Sequence, residues 1–321
     1  MSNKISIHCG DWFAVIDTEH GANCISLRNE KHGAKLLREP PISHKLDNPY
    51  LYGMPILFPV NRIENGKFEF EGRKYIFPIN EPATHCHLHG ELHRTAFELT
   101  EKSDSKIKCR YFATKSKPYL SFPHEFEIVM EYELKDDGFY HTVTVTNLSE
   151  QNMPLFLGFH TTFNTLFAEG SRPENIRVFA NISEEYERNM EINYLPTGIK
   201  PEFDATSASL SEGTYKPFEE KTSRHYRGQG KMSLTDVKSG LRMIYENDVK
   251  YGFRLIYNGG SDGYICLEPQ TCLANCQNSP FSREEAGFDF LHADESKTYR
   301  SRIFLRKYNY YNPLRHQYGG V

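Results

Sequence analysis

Three histidines alternate in the segment His85-Cys86-His87-Leu88-His89, and Gly90 follows them. In an extended strand their side chains would share one face. The glycine would let the chain turn, or let another group approach its backbone closely. Upstream, Asn61 and Arg62 directly follow the apolar run Met54-Pro-Ile-Leu-Phe-Pro-Val60. Imidazoles gathered beside a guanidinium suit a neutral, oxygen-rich ligand, whose lone pairs accept hydrogen bonds from both.

The same residues would also suit a metal, and His87-x-His89-x-Glu91 looks like the start of a cupin ligand set. Cupins leave a longer gap before the glutamate, however, and Cys86 would project from the opposite strand face, so no metal is expected. His85 and His87 are read as packing or hydrogen-bonding residues, and His89, beside Gly90, as the one that touches a ligand. Arg62 is either a loop anchor held by a salt bridge or a fork of donors presented to a ligand.

Two further stretches could carry acid–base chemistry. His160 closes an apolar run and has Thr161, Thr162 and Asn164 beside it. It is either a satisfied core histidine or a general acid, because an imidazole titrates near ~6.5 and works in either protonation state at neutral pH. Glu268 closes the apolar stretch Tyr264-Ile-Cys-Leu267. Paired with a cation it would be a strand-end salt bridge; unpaired, desolvation would raise it above the usual ~4.3 toward a useful base. Pro269 fixes the backbone behind it.

The elements that must position these groups read almost entirely as strands. Residues 125–134 alternate apolar and polar, turn at Asp136-Asp137-Gly138 and return over 139–147, a hairpin by pattern and by turn chemistry. A second hairpin joins 67–70 to 74–77 around Glu71-Gly72, and a third joins 231–235 to 241–246. Further strands are expected at 5–9, 12–16, 107–112, 154–159, 252–257, 264–268 and 298–307. Helix signals are few: Ser282 with Glu285 fits a capping box, and 181–193 is a second, weaker candidate. Without a linker or an internal repeat, the expectation is one domain over residues 1–321, all-β, with antiparallel sheets packed face to face.

Composition bounds the function. The chain has 321 residues, 22 Phe and 20 Tyr, enough large rings for a sizeable core. A net charge of −4 argues against a nucleic-acid partner, and the basic residues Arg300, Arg302, Arg306, Lys307 and Arg315 are read as a solvated strand face. Seven cysteines in no regular framework, no apolar leader in residues 1–13 and no membrane-length apolar run point to free thiols and a cytoplasmic protein.

Taken in order, these segments resemble the aldose 1-epimerase (galactose mutarotase) family from roughly residue 53 to 281. Pro-x-Leu-Phe-Pro with Asn61-Arg62-Ile63 is similar to its arginine segment, and His87-Leu88-His89-Gly90 to its His-Gly motif. His160-Thr-Thr-Phe163-Asn164 is similar to its second histidine segment, and Leu267-Glu268-Pro269-Gln270 to its catalytic glutamate. The resemblance implies a β-supersandwich that interconverts the α and β anomers of a hexose without a cofactor. It implies Glu268 as the base at the O1 hydroxyl and His160 as the acid at the ring oxygen, with His89, Arg62 and Asn61 binding the sugar. A hexose-6-phosphate epimerase and a non-catalytic carbohydrate-binding protein are the alternatives on the same fold. Phe163, Tyr257 and Phe281 are candidates to stack on the sugar. The family's sugar-holding aspartate is missing: the comparable stretch reads Ser223-Arg224-His225-Tyr226-Arg227, where the arginines could instead meet a phosphate or carboxylate. Asp204 and Asp236 are the candidate substitutes for it.

Overall fold

The computed structural model describes residues 4–41 and 48–307; Arg315 and the first three residues lie outside them. Among the described residues, 13 strands join one large sheet. Its ladders are antiparallel, and its path runs from Glu98–Lys102 through the hairpin Phe126–Lys135/Gly138–Asn147 and Ser296–Lys307 to Thr222–Asp236, Phe253–Asn258 and Tyr264–Gln270. A four-stranded sheet, Lys4–Cys9 to Ala34–Lys35, packs against it, and the Tyr132 hydroxyl reaches across to the Ala22 carbonyl. The chain is therefore all-β with antiparallel sheets face to face.

Local chemistry accounts for the strands. In Phe126–Lys135 every second residue is buried, as a half-covered sheet face requires. Lys67–Phe70 pairs with Arg73–Ile76 across Glu71 and Gly72, both at positive φ, the turn that matches strand twist. All seven cysteines are free thiols, and Arg302 pairs with Asp137 at the sheet surface.

Three expectations are corrected. Residues 181–193 are not helical: Ile176–Tyr186 is a strand whose apolar period of two begins upstream of that window. Ser282 does cap Glu285, but only a single turn forms, because Gly287 takes a left-handed conformation against Phe253. Among the described residues the α-helix is instead Ala205–Glu212, capped by Asp204 and closed by Gly213; it buries only Ser207 and Leu210, so no apolar stripe announced it.

The alternating histidines do not share a strand face either. The strand there is only Cys86–Leu88, and His85 and His89 flank it at positive φ. Gly90 does serve a close approach, but to the protein's own backbone. A Cβ at this position would overlap the Phe58 carbonyl oxygen and crowd the Tyr119 hydroxyl that bonds to it. Gly90→Ala should cost roughly 3–5 kcal/mol, combining overpacking with a side chain held at positive φ. Gly72→Ala, at positive φ but with nothing within 4 Å, should cost only about 1 kcal/mol. Denaturant midpoints of the two variants check this, and similar midpoints would contradict it.

Candidate active site

Glu268 lies in the Tyr264–Gln270 strand with strands on either side and is 1% exposed. Residues directly opposite in paired strands share a face. Leu255 is opposite Glu268, Tyr257 is opposite Cys266, and Ser223 is opposite Tyr257. This face opens into a cleft of about 640 Å³, an ordinary size for a small-molecule site. Asn61, Arg62, His89, His160 and Glu268, distant in sequence, all line it.

Hydrogen bonds fix their relative positions. The Gln270 amide donates to Glu268 Oε2 at 3.0 Å, and its Oε1 accepts from Asn61 Nδ2 at 3.2 Å. The Asn61 backbone N–H donates to His89 Nδ1 at 3.2 Å. With Nδ1 accepting, the neutral ring carries its hydrogen on Nε2, a donor for the cleft. Arg62 grips Glu81 with Nε and Nη2 at 2.6 and 2.7 Å and lies over the Tyr194 ring. His160 Nε2 is 3.3 Å from Glu268 Oε1 without the alignment of a hydrogen bond, so this oxygen has no partner.

Burial sets the charges. It pushes the Glu268 carboxyl up to about 8, against the Gln270 hydrogen bond and the Arg188 and Arg62 charges, which pull it down. It pushes His160 down to about 4, and His89 well below its ordinary range. Between those limits the Glu268–His160 pair holds one proton, which rests on Glu268.

Several expected residues fall elsewhere. His87 is buried with Nδ1 on the Pro78 carbonyl, and the cupin-like set does not converge. Among the described residues, the side chains that could share a metal are His160, Cys266 and Glu268, with ligand atoms within 4.8 Å of one another. The Cys266 thiol is raised well above its usual range by burial, then by Glu268, which keeps it protonated and a poor ligand. Of the nominated aromatics, Tyr257 lines the cleft, whereas Phe163 packs on Tyr245 and Phe281 on Tyr186.

The arginines of the divergent stretch do not reach the cleft. Arg224 alternates away from the Ser223 face and pairs with Glu185 and Asp204, and Arg227 pairs with Glu184. Asp204 caps the helix, while Asp236 accepts from Ser171 and two turn amides, so neither replaces the missing aspartate.

Tyr50, Tyr194 and Arg188 line the cleft without having been expected there. Tyr50 packs against His89 and stacks on His160, with ring centroids 4.7 and 6.0 Å apart. Nothing near Tyr50 in sequence marks this role. Arg188 sat inside the window read as a helix, where an arginine would simply be solvated.

Comparison with known proteins gives the family and the fold. The family model described as aldose 1-epimerase matches residues 4–303. The structure of a galactose mutarotase-like protein from Clostridium acetobutylicum superimposes with a TM-score of 0.88 at 28% identity, over 95% of each chain. A galactose 1-epimerase from Lactobacillus acidophilus NCFM shares the fold with a TM-score of 0.73 at 13% identity, again over 95% of each. The uncharacterized protein YihR of Escherichia coli (strain K12) is 27% identical over 163 residues, 49% of this chain and 48% of that protein. The chain thus spans about half the length of this curated relative. No helix among the described residues is long and apolar enough to cross a membrane.

The shared proton is directly measurable. In an NMR titration the His160 ring should stay neutral down to pH about 4, and the Glu268 carboxyl should lose its proton only around pH 8. An ordinary imidazole titration near ~6.5 at His160 would contradict the burial argument.

Proposed function

We propose that this chain, which belongs to the aldose 1-epimerase family, interconverts the α and β anomers of an aldohexose in this cleft. The observation that carries the reading is a buried carboxyl raised to about 8, 3.3 Å from an imidazole lowered to about 4. At neutral pH the one proton rests on Glu268, and its transfer to His160 arms the site. With the proton on His160, the site holds a base and an acid together, as simultaneous removal and delivery of protons requires.

In this mechanism Glu268 Oε1 takes the proton of the anomeric O1 hydroxyl while His160 gives its proton to the ring oxygen. The bond from C1 to the ring oxygen breaks and leaves an open aldehyde. The C1–C2 bond turns, and the reverse transfers close the ring on the other face. The proton count of the pair is the same before and after, so no cofactor is called for. His89 Nε2–H and Arg62 are assigned to the ring oxygen and nearby hydroxyls. Asn61 is assigned a positioning role, because its amide is committed to Gln270 and its backbone N–H to His89. Tyr50, Tyr194 and Tyr257 offer rings to the apolar face of the sugar.

Glu268→Gln keeps the shape and the acceptor but cannot take a proton. It should lower kcat for mutarotation by roughly 10²–10⁴-fold while sugar binding survives. Exchange NMR between anomers measures the rate and calorimetry the binding; an unchanged rate would leave a sugar-binding protein without this catalysis. His160→Asn should slow turnover more than His89→Asn, since it removes a proton transfer as well as a hydrogen bond. The opposite ranking in the same assay would exchange their roles.

A further inference from the structure

The charges lining the cleft do not balance. Arg62 is neutralised by Glu81, and Arg94 faces Glu91 at 3.9 Å. Glu268 and His160 hold one proton between them, so the pair is neutral whichever partner carries it. Among the described residues Arg188 makes no salt bridge, and Glu268 and Glu185 favour its charge only from a distance. It is 7% exposed, and its guanidinium bonds only to Ser223, Nη2 donating to the carbonyl at 2.6 Å and the hydroxyl at 2.8 Å. Among the described residues, no carboxylate lies within 4.0 Å of it. Burial, then Arg62, lowers its pKa to about 10, so it stays charged at neutral pH.

A desolvated guanidinium that meets only a carbonyl and a hydroxyl is poorly compensated. Arg254, held by backbone carbonyls alone, is shut in the core, whereas Arg188 lines the cleft, where an anion can reach it. Its location says where that anion would lie. Ser223, which holds Arg188, is opposite Tyr257, while Glu268 is opposite Leu255 in the same pair of ladders. Arg188 is therefore anchored two strands, roughly 10 Å, from the Glu268 strand, on the same face of the sheet. A pyranose with C1 at Glu268 and its long axis along this face would bring its exocyclic arm to Arg188.

We propose that the site takes an aldohexose with an oxyanion on its C6 arm, a carboxylate, sulfate or phosphate, and that Arg188 is the residue that selects it. The proposal rests on the sugar-binding reading of the cleft and narrows it to charged substrates. With Nη2 held by Ser223, Nε and Nη1 remain as donors, so an anion would be met by single charge-assisted hydrogen bonds and by the net charge of the guanidinium.

The test compares glucose and galactose with glucuronate, glucose 6-sulfate and glucose 6-phosphate on the full-length protein. Calorimetry reads affinity, and anomer-exchange NMR reads kcat/KM. At least one anionic sugar should bind at least ten-fold more tightly than the neutral pair, and the three anions identify which oxyanion fits. In Arg188→Met the ratio of anionic to neutral affinity should collapse toward one, and Arg188→Lys should restore part of it. Equal affinity for charged and neutral sugars in the wild-type protein overturns the proposal, whether or not the variants fold. The mutarotase reading fails separately, if no sugar shows enzyme-dependent anomer exchange. An anion preference that survives in a folded Arg188→Met also overturns the assignment, by moving the anion to another residue.

Discussion

Holding a carboxyl group out of water is the constraint around which the rest of this structure is arranged. Glu268 is almost fully covered by a sheet with strands on both sides, and a buried carboxylate is tolerated only if it is neutralised or hydrogen-bonded. The protein uses both routes. Gln270 bonds one oxygen, and burial keeps the carboxyl protonated beside His160, which stands close to the other. Burial moves the two groups in opposite directions, the carboxyl up to about 8 and the imidazole down to about 4, and the proposed acid–base chemistry rests on that separation.

That arrangement demands a stiff surround. Glu268, Gln270, Asn61 and His89 form a continuous chain of contacts linking a central sheet strand to a segment over 200 residues away in sequence. Asn61 and His89 both sit at positive φ, a conformation that persists in non-glycine residues only where the surroundings over-determine it. Gly90, pressed against Phe58, holds the same segment to the aromatic core. The tolerances of the site are therefore inherited from the packing of the sheet and not from the loops that carry most of its residues.

The sequence displayed much of this. Alternation in 125–134 and the Asp-Gly and Glu-Gly turns pointed to the large antiparallel sheet, because a period of two and glycine-bearing turns are local properties. Glu268 was visible as a carboxyl at the end of an apolar strand, and the order of four short motifs pointed to the family. The helix Ala205–Glu212 escaped because it has caps but scarcely any apolar face. The histidine run misled because alternation predicts a shared face only while the backbone stays extended, and His85 and His89 leave that region.

By itself the amino-acid sequence determined the sheet architecture, the identity of the acid–base candidates and the family, all of which follow from short-range pattern or motif order. It did not determine which arginine faces the cleft. Arg62, Arg188, Arg224 and Arg227 carry the same charge, and what separates them is the partner each meets after folding: Glu81, Ser223, Asp204 with Glu185, and Glu184. Those partners lie between 19 and 43 residues away along the chain. Charge compensation is a property of distance in space, so only the tertiary structure could decide which guanidinium is left without a carboxylate.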